Sequence, residues 1–321
     1  MKTFIIRSLL FATFILLSSY PVFYMLSNGI KKSGDNYTTW NDIVSSSIKS
    51  DIIINGSSRA MNHINPFILD SILDCQSYNL SITGSFFSKQ YVRYLFFEKY
   101  NEKPKYLIQQ IDYTTLSNAD YEFDDRFLPY ISYIDKALVK NHLKWIKNYH
   151  LIVPLSRYLF QKKLIIRGIL EFSHVKHFSR EETKGFQKLS GPFNSKALNQ
   201  ILQGDSLIGK NEPAMVELFD CYLNHCKQNN IYVILVFSPQ YYKVTDFTTR
   251  KKEILDIYNS VSGKYNFSFL DYSTDSMCYD TIFFHDAGHM NYKGSTIFSI
   301  KLAHDIDSIR LKLSTSDLEI N

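Results

Sequence analysis

The sequence predicts an α/β protein with a three-layer, doubly wound parallel sheet, a helical insertion and an N-terminal transmembrane helix. Two observations indicate the sheet. Short apolar runs recur along the chain and end at glycine or polar residues, as buried parallel strands do. Segments with helical periodicity separate these runs, which favours βαβ units. The third observation is an uncharged, strongly apolar stretch close to the amino terminus, which is typical of a helix that crosses a membrane.

The N-terminal stretch at positions 8–26 contains no charged residue and is flanked by lysine and arginine on one side and by lysines on the other. About 20 apolar residues are needed to cross a bilayer as a helix, so this run suffices. We predict an uncleaved signal anchor over residues 1–32. A cleaved signal peptide is the alternative, although no small-x-small cleavage site follows cleanly. Both alternatives place residues 33–321 outside the cytoplasm, and the first makes the chain a single-pass membrane protein.

Beyond the anchor, strands and helices alternate. The first strand is predicted at residues 51–56, where three isoleucines lead into Asn-Gly. The other predicted strands are at 76–82, 104–111, 231–237 and 267–270. The predicted helices are at 66–73, 91–100, 212–228, 247–262 and 292–311. This alternation predicts one doubly wound domain across 33–321.

The middle of the chain departs from this alternation. A helical, basic and aromatic pattern begins at residue 131 and is followed by a polar stretch with several glycines. We interpret residues 131–210 as a helical insert of the α/β domain rather than as an independent domain.

Composition excludes several classes of function. The chain is 45% hydrophobic and 21% charged, which is typical of a globular protein. Its net charge of +5 is small for 321 residues and no long basic run occurs, so nucleic acid is not an expected partner. The four cysteines show no CxxC or Cys/His zinc spacing. We predict no metal and no cofactor.

The first segment with chemical potential is Asn-Gly-Ser-Ser-Arg at positions 55–59, at the carboxyl end of the first predicted strand. Catalytic groups of open α/β sheets gather at the carboxyl ends of the strands. A serine on a turn opened by glycine exposes its hydroxyl there, which makes Ser58 a candidate nucleophile. The alternative is that Ser57 and Ser58 only cap the next helix.

The second segment is His-Asp-Ala-Gly-His at positions 285–289, just before the last predicted helix. A serine hydroxyl becomes a good nucleophile when a base takes its proton and a third group orients that base. Asp286 and His289 are close enough in sequence to act together, with Asp286 orienting the imidazole and His289 facing Ser58. A helix cap with a surface histidine is the alternative.

These segments, in this order, resemble the SGNH (GDSL-like) hydrolase superfamily, and particularly its membrane-anchored bacterial branch that handles acyl groups on envelope glycans. The resemblance covers roughly residues 50–115 and 230–310, and it implies a flavodoxin-like sheet. It also implies that Ser58, Asp286 and His289 form a catalytic triad. The glycine of the family's second block, whose backbone N–H helps to form the oxyanion hole, corresponds to Gly84.

One departure from the family concerns its third block, which ends in Gly-x-Asn-Asp and supplies an asparagine donor to the oxyanion. The corresponding residues here are Gln-Gln-Ile-Asp, so that a carboxylate, Asp112, lies near this position. A carboxylate would oppose an oxyanion unless it were protonated. Gln110 and Asn79 are therefore candidate substitute donors. Ser238, after the central strand, is a further candidate for lining the substrate site.

The resemblance implies a serine esterase or O-acyltransferase acting on acyl esters, acetyl esters above all, of an extracytoplasmic envelope polysaccharide. A transferase would need an acyl donor, which a multi-spanning membrane acyltransferase supplies in relatives. Two alternatives remain open. One is a catalytically silent glycan-binding or assembly subunit, suggested by the altered third block. The other is a lipid-directed esterase that uses the many aromatic residues to face a membrane.

Overall fold

The computed structural model describes residues 1–32, 36–117, 162–173, 183–203, 207–208 and 211–318. The chain divides into two compact units, residues 1–46 with 121–182, and residues 47–120 with 183–321. The predicted anchor falls in the first unit. Most of the predicted insert lies outside the described residues, and its length is divided between the two units.

The described helices and strands are as follows. The helices are α1 (Lys2–Lys32), α2 (Asn36–Val44), α3 (Ser58–His63), α4 (Pro66–Leu73), α5 (Phe87–Tyr100), α6 (Lys162–Phe172), α7 (Ser195–Leu202), α8 (Pro213–Gln228), α9 (Tyr242–Phe247), α10 (Lys251–Tyr265) and α11 (Tyr292–Leu318). The strands are β1 (Ile52–Asn55), β2 (Ser77–Asn79), β3 (Tyr106–Ile111), β4 (Leu207–Ile208), β5 (Tyr232–Phe237), β6 (Thr248–Thr249) and β7 (Ser268–Asp271).

In the first unit, α1 is long and apolar enough to cross a membrane. Its 31 residues extend over about 46 Å as a helix, and most of its large apolar side chains are exposed. Helix α6 packs against α1. The predicted apolar run at 8–26 therefore lies wholly inside one continuous helix.

The second unit is built on a five-stranded parallel sheet with the strand order β2-β1-β3-β5-β7. The first strand of the sheet along the chain is β1; the next, β2, lies on one side of it, and the later strands β3, β5 and β7 follow in order on the other side. Such a reversal creates a crevice at the carboxyl ends of the two strands on either side of it, here β1 and β3. Both predicted motifs can reach this edge only if the C-terminal segment folds back over it.

Side-chain alternation along the strands explains why helices cover both faces of the sheet. Ile52, Ile54 and Ile108 point to one face and join a buried cluster with residues of α3, α4 and α11. On the other face, Gln109 and Asn55 contact the hydroxyl of Tyr222 on α8. The prediction of an α/β protein with helices on both sides of a parallel sheet is confirmed.

Local sequence explains the starts of the helices that carry the site. Ser57 caps α3 by accepting a hydrogen bond from the Arg59 N–H. Asn65 caps α4 in the same way, with Pro66 as the first helical residue, where a missing N–H costs nothing. Helix α4 has the predicted boundaries. Strand β2 is shorter than predicted, although the N–H groups of Leu80 and Ile82 beyond it still donate to the carbonyls of Ile54 and Gly56.

Candidate functional site

The turn after β1 holds Ser58 at the carboxyl edge of the sheet, as the first residue of α3. Gly56 is required by close approach, since a Cβ there would lie 2.7 Å from the Cβ of Ala60 and 2.9 Å from that of Gln110. The hydroxyl of Ser57 donates to Gln110 Oε1 at 3.0 Å. The Ser57 hydroxyl is therefore already engaged, by the Arg59 N–H and by Gln110. The half-buried Ser58 is the serine whose hydroxyl faces the loop that contains His289.

The segment before α11 forms a tight loop in which Asp286 and His289 meet. The carbonyl of His289 accepts hydrogen bonds from the N–H groups of His285 and Asp286. Asp286 Oδ1 in turn accepts from the N–H groups of Gly288 and His289, at 2.8 and 2.9 Å. The backbone of the loop thus fixes the carboxylate independently of the imidazole.

Three hydrogen-bond contacts join the two segments into a Ser–His–Asp arrangement. Ser58 Oγ lies 2.8 Å from His289 Nε2, and His289 Nδ1 lies 3.0 and 3.1 Å from the two oxygens of Asp286. A carboxylate can only accept, so the ring proton belongs on Nδ1. The unprotonated Nε2 then faces the Ser58 hydroxyl as an acceptor. The structure thus brings together the three side chains that the sequence motifs indicate.

The protonation of Asp286 suits this arrangement. Partial burial raises the pKa of its carboxyl group, but the hydrogen bond and charge of His289, together with the two loop N–H groups, outweigh burial and lower the pKa overall. Asp286 is consequently ionised at neutral pH and holds the imidazole in one tautomer.

Gly84 lies in the loop that follows β2, next to the serine turn. The N–H of Ile82 donates to the carbonyl of Gly56 at 3.0 Å, which brings this loop alongside the turn. Gly84 itself is exposed and has a φ of +61°, a left-handed conformation that favours glycine. Its N–H as a donor to an oxyanion stays a prediction.

The predicted donor role of Asn79 is wrong. Its side chain is fully buried, and its amide nitrogen donates to the carbonyls of Ala60 and Ile64, at 2.9 and 3.1 Å. Its Oδ1 accepts from the Ser81 N–H. Both amide protons are used to fasten the end of α3 to β2, so no side-chain N–H is left for an oxyanion.

Gln110 is also not placed as a donor. Its Oε1 accepts from the backbone N–H and the hydroxyl of Ser57, while its Nε2 donates to the carbonyl of Ile111. Because a backbone N–H requires an acceptor, the oxygen must be the end that faces the serine turn. Gln110 is fully buried and supports the serine turn with both ends of its amide engaged.

Ser238 does not line an open site. It is fully buried, its hydroxyl lies 3.0 Å from His63 Nδ1, and its carbonyl accepts from Arg59 Nη2 at 2.6 Å. Arg59 and His63 are themselves buried and contact protein groups instead of solvent. The pattern of the sequence did not distinguish these two residues from helix-surface positions, since α3 is too short to show which face is covered.

Asp112 ends β3 in a turn of its own. Its Oδ1 accepts from the N–H and hydroxyl of Thr114 and from the hydroxyl of Thr115. Burial lowers the pKa of Arg59, and the charge of Asp112 is the strongest influence that opposes this. The carboxylate thus has hydrogen-bond donors and a nearby cation, which reduces the repulsion that it would exert on an oxyanion.

Within the residues that the structure describes, no group of three or more His, Cys, Asp or Glu side chains is placed to hold a metal ion. A scan against protein-family models finds no match to this chain. A search of curated proteins finds none either.

Proposed function

We propose that this chain is a serine esterase or O-acyltransferase of the SGNH type that acts on acyl esters, acetyl esters above all, of a cell-envelope polysaccharide. The observation that carries the proposal is the 2.8 Å contact between Ser58 Oγ and His289 Nε2, with His289 Nδ1 held by Asp286. A continuous chain of hydrogen bonds from hydroxyl to imidazole to carboxylate is what activation of a serine requires.

In the first half-reaction, His289 Nε2 takes the proton of Ser58 as Oγ attacks the ester carbonyl carbon. The carbonyl π electrons move to oxygen, and the backbone N–H groups of Ser58 and Gly84 are the proposed donors to that oxyanion. Asp286 stabilises the imidazolium. When the intermediate collapses, the ester C–O bond breaks and the departing alcohol oxygen receives the proton from His289, which leaves an acyl-serine.

In the second half-reaction, water or a sugar hydroxyl gives its proton to His289 and attacks the acyl-serine. Ser58 leaves with the proton returned by Nε2. Hydrolysis and transfer use the same residues, and they differ in whether water is excluded and an acceptor is held in place.

Helix α1 supports a substrate outside the cytoplasm. A helix long and apolar enough to cross a membrane supports a tethered protein whose second unit works outside the cytoplasm, where envelope polysaccharides are found. As a transferase it would receive acyl groups from a multi-spanning membrane acyltransferase, which is the partner we propose. The SGNH assignment is supported by the strand order and by the position of Ser58 beside the reversal of that order.

Labelling of Ser58 by a fluorophosphonate tests the proposal. We expect the full-length chain in detergent to react covalently with the probe and to hydrolyse p-nitrophenyl acetate, and Ser58→Ala to lose both activities. Ser57→Ala is the matched control, because it removes the neighbouring hydroxyl but leaves the triad, and it should still be labelled. Gel fluorescence and mass spectrometry of the labelled peptide give the readout.

Two results would count against the proposal. Absence of labelling in the wild type, or equal labelling of wild type and Ser58→Ala, would favour a silent glycan-binding or assembly subunit. Faster turnover of long-chain than of acetyl esters would instead favour a lipid-directed esterase.

The proposed orientation has its own test in Cys221, which is exposed, whereas Cys75 is half-buried and Cys226 and Cys278 are buried. We expect a membrane-impermeant maleimide to label the full-length Cys75→Ser chain in intact cells, and the further change Cys221→Ser to remove that label. Labelling that requires permeabilisation would place the second unit in the cytoplasm.

A further inference from the structure

His63 is a buried imidazole that connects three segments around the candidate triad. It is the last residue of α3 and is fully buried. Its Nδ1 lies 3.0 Å from the hydroxyl of Ser238, at the end of β5. Its Nε2 accepts a hydrogen bond from the backbone N–H of Met290 at 3.0 Å. Met290 directly follows His289 in the chain.

The partners of His63 fix its protonation. A backbone N–H can only donate, so Nε2 must carry a lone pair, and the proton of the neutral ring lies on Nδ1, where it donates to Ser238. Burial, the charge of Arg59 and the proximity of His289 all lower the pKa of His63. A protonated ring would direct an N–H at the N–H of Met290 and break the contact. His63 is therefore neutral and held in one tautomer.

Two of the hydrogen bonds between α3 and the loop that carries His289 differ in what the proposed reaction does to them. One is Ser58 Oγ to His289 Nε2, and the other is Met290 N–H to His63 Nε2. The first is the bond through which the proposed reaction moves a proton, so it is lost whenever Ser58 is acylated. The second does not change during the reaction, and of the two it is the one that persists in the acyl-serine state.

We propose that His63 is a positioning residue that holds the His289 loop against α3, so that the imidazole stays aligned with Ser58 throughout the catalytic cycle. This role rests on the proposed function. His63 contacts no reacting atom, and its effect passes through the backbone of Met290. The hydroxyl of Ser238 supports it by fixing the rotation of the ring.

Two replacements separate the functions of the ring nitrogens. In His63→Gln, the side-chain oxygen can occupy the position of Nε2 and still accept from Met290 N–H. In His63→Asn, the shorter amide reaches the position of Nδ1, where it can contact Ser238 but not Met290. The readouts are kinact, the maximal rate of fluorophosphonate labelling, and KI, the concentration for half of that rate, measured on the full-length chain in detergent.

We expect His63→Asn to lower kinact by about 10- to 100-fold, because small misplacements of a base are costly, with little change in KI. His63→Gln should stay within about threefold of the wild type. Ser299→Ala is the matched structural control. It removes hydrogen bonds at the same end of α3, from Asn65 N–H to Ser299 and from Ser299 to the carbonyl of His63, but leaves the imidazole in place, and kinact should not change.

Wild-type kinact in His63→Asn would overturn the proposal, as would a His63→Gln variant as slow as His63→Asn. If His63→Asn does not fold, Ser238→Ala replaces it. That variant should lower kinact by a smaller amount, and an unchanged value would overturn the proposal. A wild type that is not labelled at Ser58 contradicts the proposed function itself, whereas labelled wild type with an unaffected His63→Asn contradicts only the positioning role.

Discussion

Replacing Asp286 with asparagine is expected to lower the rate of Ser58 acylation by about 10⁴-fold. Two backbone N–H groups, of Gly288 and His289, donate to Asp286 Oδ1, so an asparagine must keep its carbonyl oxygen at that position. Its NH₂ group then replaces Oδ2, which lies 3.1 Å from His289 Nδ1. The retained oxygen lies 3.0 Å from Nδ1 and can still accept its proton, but the NH₂ group opposes that proton, and the neutral amide no longer stabilises the imidazolium that forms as Ser58 attacks.

The measurement is fluorophosphonate labelling of the full-length chain over time, with thermal unfolding recorded in parallel. Because the loop hydrogen bonds to Oδ1 survive, the midpoint of unfolding should change little. Asp280→Asn is the matched control. Asp280 also caps a short turn, by accepting from the Ile282 N–H, but it is not part of the triad. A decrease of less than tenfold in Asp286→Asn would show that the carboxylate of Asp286 neither sets the tautomer of His289 nor stabilises its imidazolium.

The second large effect is expected at Gly294, in the first turn of α11. A Cβ there would lie 2.0 Å from the carbonyl oxygen of Phe283 and 2.9 Å from its carbon, and backbone atoms cannot move aside as a flexible side chain can. The same carbonyl accepts from the Asn291 N–H, which closes the loop that contains His289. Gly294→Ala should therefore lower the free energy of unfolding by about 1–3 kcal/mol or more and displace the loop.

Gly263→Ala provides the comparison, because a Cβ at Gly263 in α10 meets no atom within 4 Å. That variant should gain about 0.5–1 kcal/mol, since alanine is the better helix former. Chemical denaturation followed by circular dichroism measures both variants, and fluorophosphonate labelling reports the displacement of the loop. Equal stability and equal labelling of Gly294→Ala and the wild type would contradict the close approach of α11 to Phe283.

The sequence allowed the sheet to be predicted because its strands are buried on both faces. The three isoleucines of β1 and the apolar run of β5 are typical of strands covered on both sides, and Asn65 with Pro66 defines the start of α4. The meeting of Ser58, Asp286 and His289 was predictable because catalytic groups of open α/β sheets gather at the edge formed by the carboxyl ends of the strands.

The surroundings of these three residues were not predictable in the same way. Asn79 and Gln110 carry amides that suit an oxyanion site, but the direction of a side chain depends on which polar backbone groups the fold leaves unpaired nearby. In this chain the carbonyls of Ala60 and Ile64 accept hydrogen bonds from the side-chain amide of Asn79. The role proposed for His63 was not predictable for a related reason, since it depends on hydrogen bonds to Ser238 and Met290, which lie more than 170 positions away in the sequence.

The distance between the two halves of the candidate site along the chain has a consequence for biosynthesis. Ser58 and His289 are 231 positions apart, and the apolar residues of α11 complete the cluster around α3 and α4. A chain that emerges amino terminus first thus holds its serine without a base until α11 docks. On the proposed function, a protein whose synthesis has not yet reached α11 cannot attack esters while it crosses the membrane, and activity requires that α11 has docked.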